Sequence, residues 1–211
     1  MRPSFGPETF ERVREALSGV APGPVTQARS AAVLVPLFLD GERVRVLLTK
    51  RSENLRTHRG EVSFPGGTRE PEDVDLRATA EREAFEEVAL RPDDVAHLGV
   101  LDDLPTAGSG ILIRPYVVRV PHPYDYVPDT REVERLLTPP LDLFADVSAR
   151  RIEMFERGGV RYPVYFFDHE GDVVWGATAR MLVALIERLD GREPDWTVVP
   201  RPPASVEEDL A

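Results

Sequence analysis

The sequence contains no cysteine among its 211 residues. This absence excludes disulfide bridges, thiolate metal ligands and a cysteine nucleophile, and it fits a reducing compartment such as the cytoplasm. Long apolar runs are also missing, because the run at residues 31–39 is far shorter than the roughly 20 residues that span a bilayer. Residues 1–20 contain scattered acids and no apolar core, unlike a signal peptide. We therefore expect a soluble, cytoplasmic protein with no membrane partner.

Positive charge is scarce as well. The chain has 26 lysines and arginines against 37 acids, which gives a net charge of −11. This balance argues against loose binding to nucleic acid or to an anionic membrane, because like charges repel. Residues 50–59 are an exception, with four basic residues, one acid and a local charge of +3. This basic segment is a candidate site for a small polyanion, although a solvated surface loop accounts for the charge equally well.

The length fits one domain with additions at both ends. We expect an N-terminal helix and linker at residues 1–29, a main domain at 30–190, and a Pro-rich, acidic, frayed tail at 191–211. Residues 31–39 and 43–49 predict a hairpin, since Asp40-Gly41 between them favours a tight turn. Mixed strands and helices indicate an α/β layered domain. Further strands are predicted at 95–101, 111–120, 152–155 and 162–167, and helices at 7–18, 76–88, 129–137 and 175–189.

Three carboxylates recur at helical spacing near the centre of the chain. Glu83, Glu86 and Glu87 occupy positions i, i+3 and i+4, so a helix places them on one face. Like charges at this spacing destabilise a helix by roughly 0.2–0.5 kcal/mol per pair, and a divalent cation would compensate them. Oxygen ligands suit Mg²⁺ or Mn²⁺. A solvated, glutamate-rich helix face gives the same pattern, so these residues alone do not distinguish the two.

The residues before this helix distinguish a metal site from a solvated helix face. Glycine, an acidic loop and a helix closing with Arg-Glu-x-x-Glu-Glu resemble the Nudix box, which is Gly, five residues, Glu, seven residues, then Arg-Glu-apolar-x-Glu-Glu-x-Gly-apolar. The resemblance implies an α/β/α sandwich with a mixed β-sheet. It also implies that Glu83 and Glu87 bind the metal against a pyrophosphate, and that Glu83, Glu86 and Glu87 form the catalytic set. The matching positions are Gly67, Arg82, Glu83, Ala84, Glu86, Glu87 and Leu90.

Two positions depart from that pattern. Fourteen residues separate Gly67 from Arg82 where the family pattern has 13. Val74 therefore falls at the position of the usual acid, and Asp73 and Asp75 on either side of it are candidates to replace that acid. Ala89 replaces the usual glycine, and alanine adopts a positive φ less readily.

Residues 47–67 narrow the range of candidate substrates. They contain Leu-Leu-Thr-x-Arg and Leu-Arg-x-His-x-Gly-x-Val-x-Phe-Pro-Gly-Gly, and they resemble the coenzyme A pyrophosphatase subgroup of the Nudix family. The longer box and residues 175–182 resemble the same subgroup, so the likeness covers roughly residues 30–190. It implies hydrolysis of coenzyme A to 3′,5′-ADP and 4′-phosphopantetheine with Mg²⁺ or Mn²⁺.

Coenzyme A carries a 3′-phosphate besides its pyrophosphate. Arg51, Arg56 and Arg59 are candidate substrate-binding residues, because guanidinium groups pair bidentately with phosphate oxygens. His58 could contact phosphate or act as an acid or base, although a lone histidine is more often structural. The general base stays open among Glu86, Glu61, Asp102, Asp103 and the acids of residues 129–134. Rival interpretations are a Nudix hydrolase for ADP-ribose, dinucleotide polyphosphates or modified nucleoside triphosphates, and a domain that senses a nucleotide without cutting it.

Overall fold

A computed structural model describes residues 4–23, 30–55, 57–105, 111–157 and 159–194. The α-helices of these residues are α1 Thr9–Leu17, α2 Leu76–Val88, α3 Asp142–Ala145 and α4 Gly176–Leu189. The strands are β1 Ser30–Asp40, β2 Arg43–Val46, β3 Leu48–Arg51, β4 Val62–Ser63, β5 Gly66–Thr68, β6 Ala96–Val100, β7 Leu104–Pro105, β8 Leu112–Arg119, β9 Val133–Leu137, β10 Arg150–Arg157, β11 Val160–His169 and β12 Asp172–Trp175.

The central sheet has the strand order β2-β1-β8-β6, and β5 and β7 pair with β1 and β8. Strands β1 and β8 are parallel, whereas the other pairs of this sheet are antiparallel. The sheet is therefore mixed. Two smaller sheets have the orders β4-β3-β9 and β10-β11-β12.

Strand β1 is buried on both faces of the central sheet, because successive side chains of a strand point to opposite sides. Ala32, Leu34 and Phe38 join one apolar core with residues of α2. Val33 and Leu37 join a second core with residues of α1 and α4. Helices thus cover both faces of the sheet, which confirms the predicted α/β/α sandwich.

Most predicted elements are confirmed, and α2 has the predicted bounds. The helix predicted at residues 129–137 is wrong, because its second half is strand β9, paired with β3 from Leu48↔Leu137 to Arg51↔Val133. Ladder hydrogen bonds with a distant strand override the local helix propensity there. The predicted strand at 43–49 is divided at Leu47, since β2 pairs with β1 and β3 pairs with β4 and β9.

The N-terminal helix α1 packs against β6 and α4, with Phe10, Val13 and Leu17 buried. Residues 24–29 of the predicted linker and residues 195–211 of the predicted tail lie outside the described residues. Among the described residues, no helix is long and apolar enough to cross a membrane.

Candidate active site

Helix α2 supplies the three predicted carboxylates. It begins after Asp75, whose side chain accepts a hydrogen bond of 2.8 Å from the backbone N–H of Ala78 and so caps the first turn. Its apolar residues at every fourth position are buried against the sheet. Glu87 is buried beside them, Glu83 is half-buried and Glu86 is exposed. The helix ends at Ala89 in a left-handed conformation with φ of 56°. Alanine therefore preserves the left-handed turn at the position where the family pattern has glycine.

Glu87 is the most deeply buried of these carboxylates, with 4% of its surface exposed. Its Oε2 accepts a hydrogen bond of 3.3 Å from the N–H of Gly66, and its Oε1 lies 3.7 Å from Nη1 of Arg51. Burial raises the pKa of Glu87 to about 8, against the opposing effect of Arg51. The site thus contains a buried carboxylate that only weak contacts compensate.

Glu83 lies against the glycine pair that precedes α2. A side-chain carbon at Gly67 would come within 2.4 Å of Oε1 of Glu83, so a larger residue there would displace this carboxylate. A carbon at Gly66 would come within 2.3 Å of the carbonyl oxygen of Ala32. Burial raises the pKa of Glu83, while the neighbouring Arg82, at 3.2 Å, opposes this shift.

Arg82 connects the acidic loop to the glutamates of α2. Its guanidinium donates hydrogen bonds of 3.0 Å to both carboxylate oxygens of Asp73, and another of 3.0 Å to Glu86. Asp73 also accepts hydrogen bonds from the Thr79 hydroxyl and the Glu70 N–H. These contacts, with Arg82 first, hold the pKa of Asp73 well below its usual range. Asp73 is therefore the acid that pairs with Arg82, whereas Asp75 caps the helix.

The carboxylates line an open pocket of about 350 Å³. Its other lining residues come from the segment before β9, for which the sequence predicts a helix. This segment is attached to the end of α2, since the N–H of Asp129 donates to the carbonyl of Glu87 at 2.9 Å. Arg131 forms a bidentate pair with Asp129. The lining residues are Glu83, Glu86, Glu87, Asp129, Arg131 and Glu132.

Several general-base candidates lie in ion pairs elsewhere. Glu61 contacts Nδ1 of His58 at 2.9 Å within their own loop. Asp102 accepts a hydrogen bond of 2.7 Å from Arg188, and Asp103 accepts one of 2.7 Å from Arg114. None of these three acids lines the acidic pocket. Of the pocket acids, Glu86 is bound to Arg82 and Asp129 to Arg131, while Glu132 is exposed.

The basic segment is spread over different environments. Lys50 forms ion pairs with Glu134 at 3.1 Å and Asp172 at 3.3 Å. Arg51 faces the pocket carboxylate Glu87, whereas exposed Arg59 donates a hydrogen bond to the carbonyl of Leu55. Arg56 lies outside the described residues. The structure therefore brings Arg51 to the acidic pocket and leaves Arg59 on the surface loop.

The donor set fits a hard divalent cation. Two carboxylates with pKa values raised by burial lie on one helix face, and positive charge in the pocket would lower the electrostatic cost of ionising them. Among the described residues, no group of three or more histidine, aspartate or glutamate side chains is arranged to hold a metal ion by itself. Mg²⁺ in general keeps several waters and takes further oxygens from substrate phosphates.

Comparison with known proteins identifies the family. A family model described as the NUDIX domain matches residues 28–157. Nudix hydrolase 22, chloroplastic, of Arabidopsis thaliana is 39% identical over 85% of this chain and 59% of its own length. Nudix hydrolase 15, mitochondrial, of the same plant is 37% identical over 85% of this chain and 62% of its own length. The chain thus spans less than two thirds of either plant relative.

A bacterial relative and a solved structure match more of their own length. The protein named Uncharacterized Nudix hydrolase NudL of Pectobacterium atrosepticum is 39% identical over 80% of this chain and 87% of its own. The crystal structure of a NUDIX hydrolase from Alicyclobacillus acidocaldarius has a TM-score of 0.55 at 17% identity, covering 81% of this chain and 99% of that one. At this identity the likeness shows the fold alone. Because the plant names refer to two organelles, a cytoplasmic location stays a prediction.

Proposed function

The chain belongs to the Nudix family, and on that premise we propose that it hydrolyses the pyrophosphate bond of coenzyme A to 3′,5′-ADP and 4′-phosphopantetheine. The observation that carries the proposal is the pairing of Glu87 with Arg51 at 3.7 Å. Glu87 belongs to the residues that resemble the Nudix box, and Arg51 to the segment that resembles the coenzyme A subgroup. Their contact supports a single site in which both segments take part.

Glu83 and Glu87 are the proposed metal ligands, and Mg²⁺ or Mn²⁺ the proposed cofactor. Such a cation, when bound, would neutralise pyrophosphate oxygens and lower the pKa of water. Glu86 serves the site through Arg82, which it contacts together with Asp73. Arg82 thereby fixes the position of the carboxylate face relative to the acidic loop.

Glu132 is the proposed general base. It lines the pocket opposite α2, and its exposed carboxylate can approach a water molecule there. In the proposed step Glu132 takes a proton from the water while the water oxygen bonds to one phosphorus of the pyrophosphate. The bond from that phosphorus to the bridging oxygen breaks, and the second phosphate leaves with the electron pair. A positioned base of this kind contributes about a hundredfold to ten-thousandfold in rate.

Arg51 and Arg59 receive different proposed roles. Arg51 lies beside a proposed metal ligand, so its guanidinium is suited to the pyrophosphate that binds there. Arg59 lies on an exposed loop outside the pocket lining, where a more distant group of the substrate could reach it. We assign the 3′-phosphate to Arg59, and we propose Arg56, three residues earlier in the sequence, as a second contact.

Product analysis tests this proposal directly. Purified protein is incubated with coenzyme A and Mg²⁺ or Mn²⁺, and the products are separated and weighed by mass spectrometry. We expect 3′,5′-ADP and 4′-phosphopantetheine in equal amounts, and neither product when EDTA is present. Intact coenzyme A alongside cleavage of ADP-ribose or a dinucleotide would assign the chain to another Nudix substrate. Binding of a nucleotide without cleavage of any would make it a sensor.

A further inference from the structure

The outer strand of the small sheet β10-β11-β12 carries an unusual concentration of exposed apolar side chains. Seven large hydrophobic residues are exposed among the described residues, and four of them lie within residues 147–155. Three of the four belong to β10: Ile152 is 50% exposed, Met154 51% and Phe155 38%. Clustered exposed apolar residues of this kind mark interaction surfaces more often than isolated ones do.

The backbone of β10 is also available for pairing. Within the described residues, β10 pairs with β11 on one side and with no strand on the other. Its register with β11 is unbroken from Arg150↔Phe167 to Arg157↔Val160, and it contains neither proline nor a bulge. Proteins usually protect an edge strand with those devices or with a covering segment, because free N–H and C=O groups recruit another strand. Five of the eight residues of β10 are charged, so its long, regular edge is suited to a partner strand that matches these charges as well as the exposed apolar side chains.

From this edge we infer that β10 pairs antiparallel with β10 of a second copy of the chain, about a two-fold axis through Glu153. The two three-stranded sheets would then form one continuous sheet of six strands. A two-fold axis perpendicular to a sheet keeps each face on its own side, so residues whose numbers add to 306 lie opposite each other. This inference does not depend on the proposed function.

Side-chain complementarity supports this register. Ile152 lies opposite Met154 of the partner subunit, which joins two exposed apolar residues, and the symmetry makes this contact twice. Arg150 lies opposite Glu156 of the partner subunit, which joins opposite charges, again twice. Cross-strand pairs of both kinds stabilise a sheet. The two copies of Glu153 meet at the axis, and each is already paired with Arg151 of its own chain. A shift by two residues would instead place Ile152 opposite Glu156 of the partner subunit.

Sedimentation velocity over a wide range of protein concentration tests the dimer. We expect a monomer–dimer equilibrium that dilution shifts toward monomer. Met154→Lys should abolish the dimer, because it places two ammonium groups against the two Ile152 side chains. Val74→Lys is the matched control, since Val74 is 85% exposed and lies far from β10 in the sequence, and it should leave the equilibrium unchanged. A wild-type protein that stays monomeric at every concentration would overturn the inference. Protection of the β10 amides in such a monomer would assign the edge to another occupant.

A single introduced cysteine tests the register without relying on the folding of Met154→Lys. The natural chain has no cysteine, so each variant contains only the one introduced. In the inferred register the two copies of residue 153 have Cα atoms about 4.5–5.5 Å apart, within reach of a disulfide. The two copies of residue 156 are about 20 Å apart, because six residues separate residue 156 from the position opposite it. Glu153→Cys should therefore cross-link under mild oxidation roughly tenfold or more faster than Glu156→Cys. Equal rates, or faster cross-linking of Glu156→Cys, would contradict the two-fold axis at Glu153.

Discussion

Nη1 of Arg51 lies 3.7 Å from Oε1 of Glu87, although 35 residues separate them along the chain. Arg51 ends strand β3, and Glu87 lies in the last turn of α2. Arg51 offsets the charge of the buried carboxylate, and it opposes the rise in the pKa of Glu87 that burial causes. The same contact brings positive charge to the place where a pyrophosphate would meet the acidic pocket.

Removing either proposed metal ligand should abolish most turnover. We expect Glu83→Gln and Glu87→Gln each to lower kcat by about a hundredfold or more, which corresponds to roughly 3 kcal/mol of barrier. Both variants should fold, because each removes one of several like charges on α2. Glu81→Gln is a matched control on the same helix, since Glu81 contacts His97 and Arg77 outside the pocket. Near-normal activity of Glu87→Gln at saturating Mg²⁺ would show that Glu87 is not a ligand.

Metal binding should stabilise the fold. A cation that binds only the native state adds about 2.7 kcal/mol to the free energy of unfolding at a hundred times its Kd. Thermal melting of wild type in EDTA, Mg²⁺ and Mn²⁺ measures this effect, and Glu87→Gln should lose most of it. A melting temperature that millimolar Mg²⁺ and Mn²⁺ both leave unchanged would argue against a metal site at these carboxylates.

Glu132 should affect catalysis without affecting the metal. We expect Glu132→Gln to lower kcat by about a hundredfold or more, as loss of a general base does. Its thermal stabilisation by Mg²⁺ should remain close to that of wild type. Asp129→Asn is the control from the same segment, because Asp129 is engaged by Arg131, and its kcat should fall much less. An unchanged kcat and an unchanged pH profile in Glu132→Gln would show that Glu132 is not the general base.

The pair of Asp73 and Arg82 should make stability depend on pH. Asp73 is buried and its pKa is lowered in the folded state, chiefly by Arg82. The native state therefore binds fewer protons than the unfolded state, and the stabilisation is fully present above the ordinary carboxyl pKa of about 4. It is lost as pH falls through the lower native pKa. Asp73→Asn should cost roughly 3 kcal/mol at pH 7, as breakage of a buried pair does. This difference from wild type should shrink in strongly acidic solution.

Asp75→Asn is the natural control for that experiment. Asparagine is as good an N-cap as aspartate, so α2 should keep its first turn and the free energy of unfolding should change little. Chemical denaturation of wild type and both variants at several pH values gives the comparison. Equal stabilities of Asp73→Asn and Asp75→Asn at pH 7 would contradict the importance of the Asp73–Arg82 pair.

Substitution of Arg59 and of Arg51 should distinguish the site of the 3′-phosphate from the site of the pyrophosphate. Dephospho-coenzyme A lacks the 3′-phosphate, so wild type should prefer coenzyme A. Arg59→Ala should lose roughly tenfold to a hundredfold of this preference, the value of a charge-assisted hydrogen bond to phosphate. Arg51→Ala should lower kcat/KM for both substrates by the same factor. The measurement is the ratio of kcat/KM for coenzyme A to kcat/KM for dephospho-coenzyme A in wild type and in each variant. A preference that stays unchanged in both variants would show that neither Arg51 nor Arg59 binds the 3′-phosphate.

Some features of the fold and of the candidate site could be predicted from the sequence, and others could not. The spacing of Leu76, Ala80, Ala84 and Val88 predicted α2 and its bounds, because a long amphipathic helix depends on a local repeat. The choice between Asp73 and Asp75 needed the structure, since both lie close to the expected position and only their contacts differ. For residues 129–137 the sequence predicts a helix, whereas the structure has a strand at their end. The pairing of Leu137 with Leu48 is a long-range contact that a local pattern does not contain. From the sequence alone, Glu132 is one of several candidate acids, because the long-range contacts that bring it to the pocket are not contained in a local pattern.

A competition experiment tests the proposed preference for coenzyme A most directly. Equal concentrations of coenzyme A, ADP-ribose, NADH and a diadenosine polyphosphate are mixed with the protein and Mg²⁺, and mass spectrometry follows the loss of each. The ratio of the initial rates then equals the ratio of the kcat/KM values. We predict that coenzyme A disappears first and that 3′,5′-ADP accumulates at the same rate. Preferential loss of ADP-ribose, NADH or the diadenosine polyphosphate would contradict the proposed substrate.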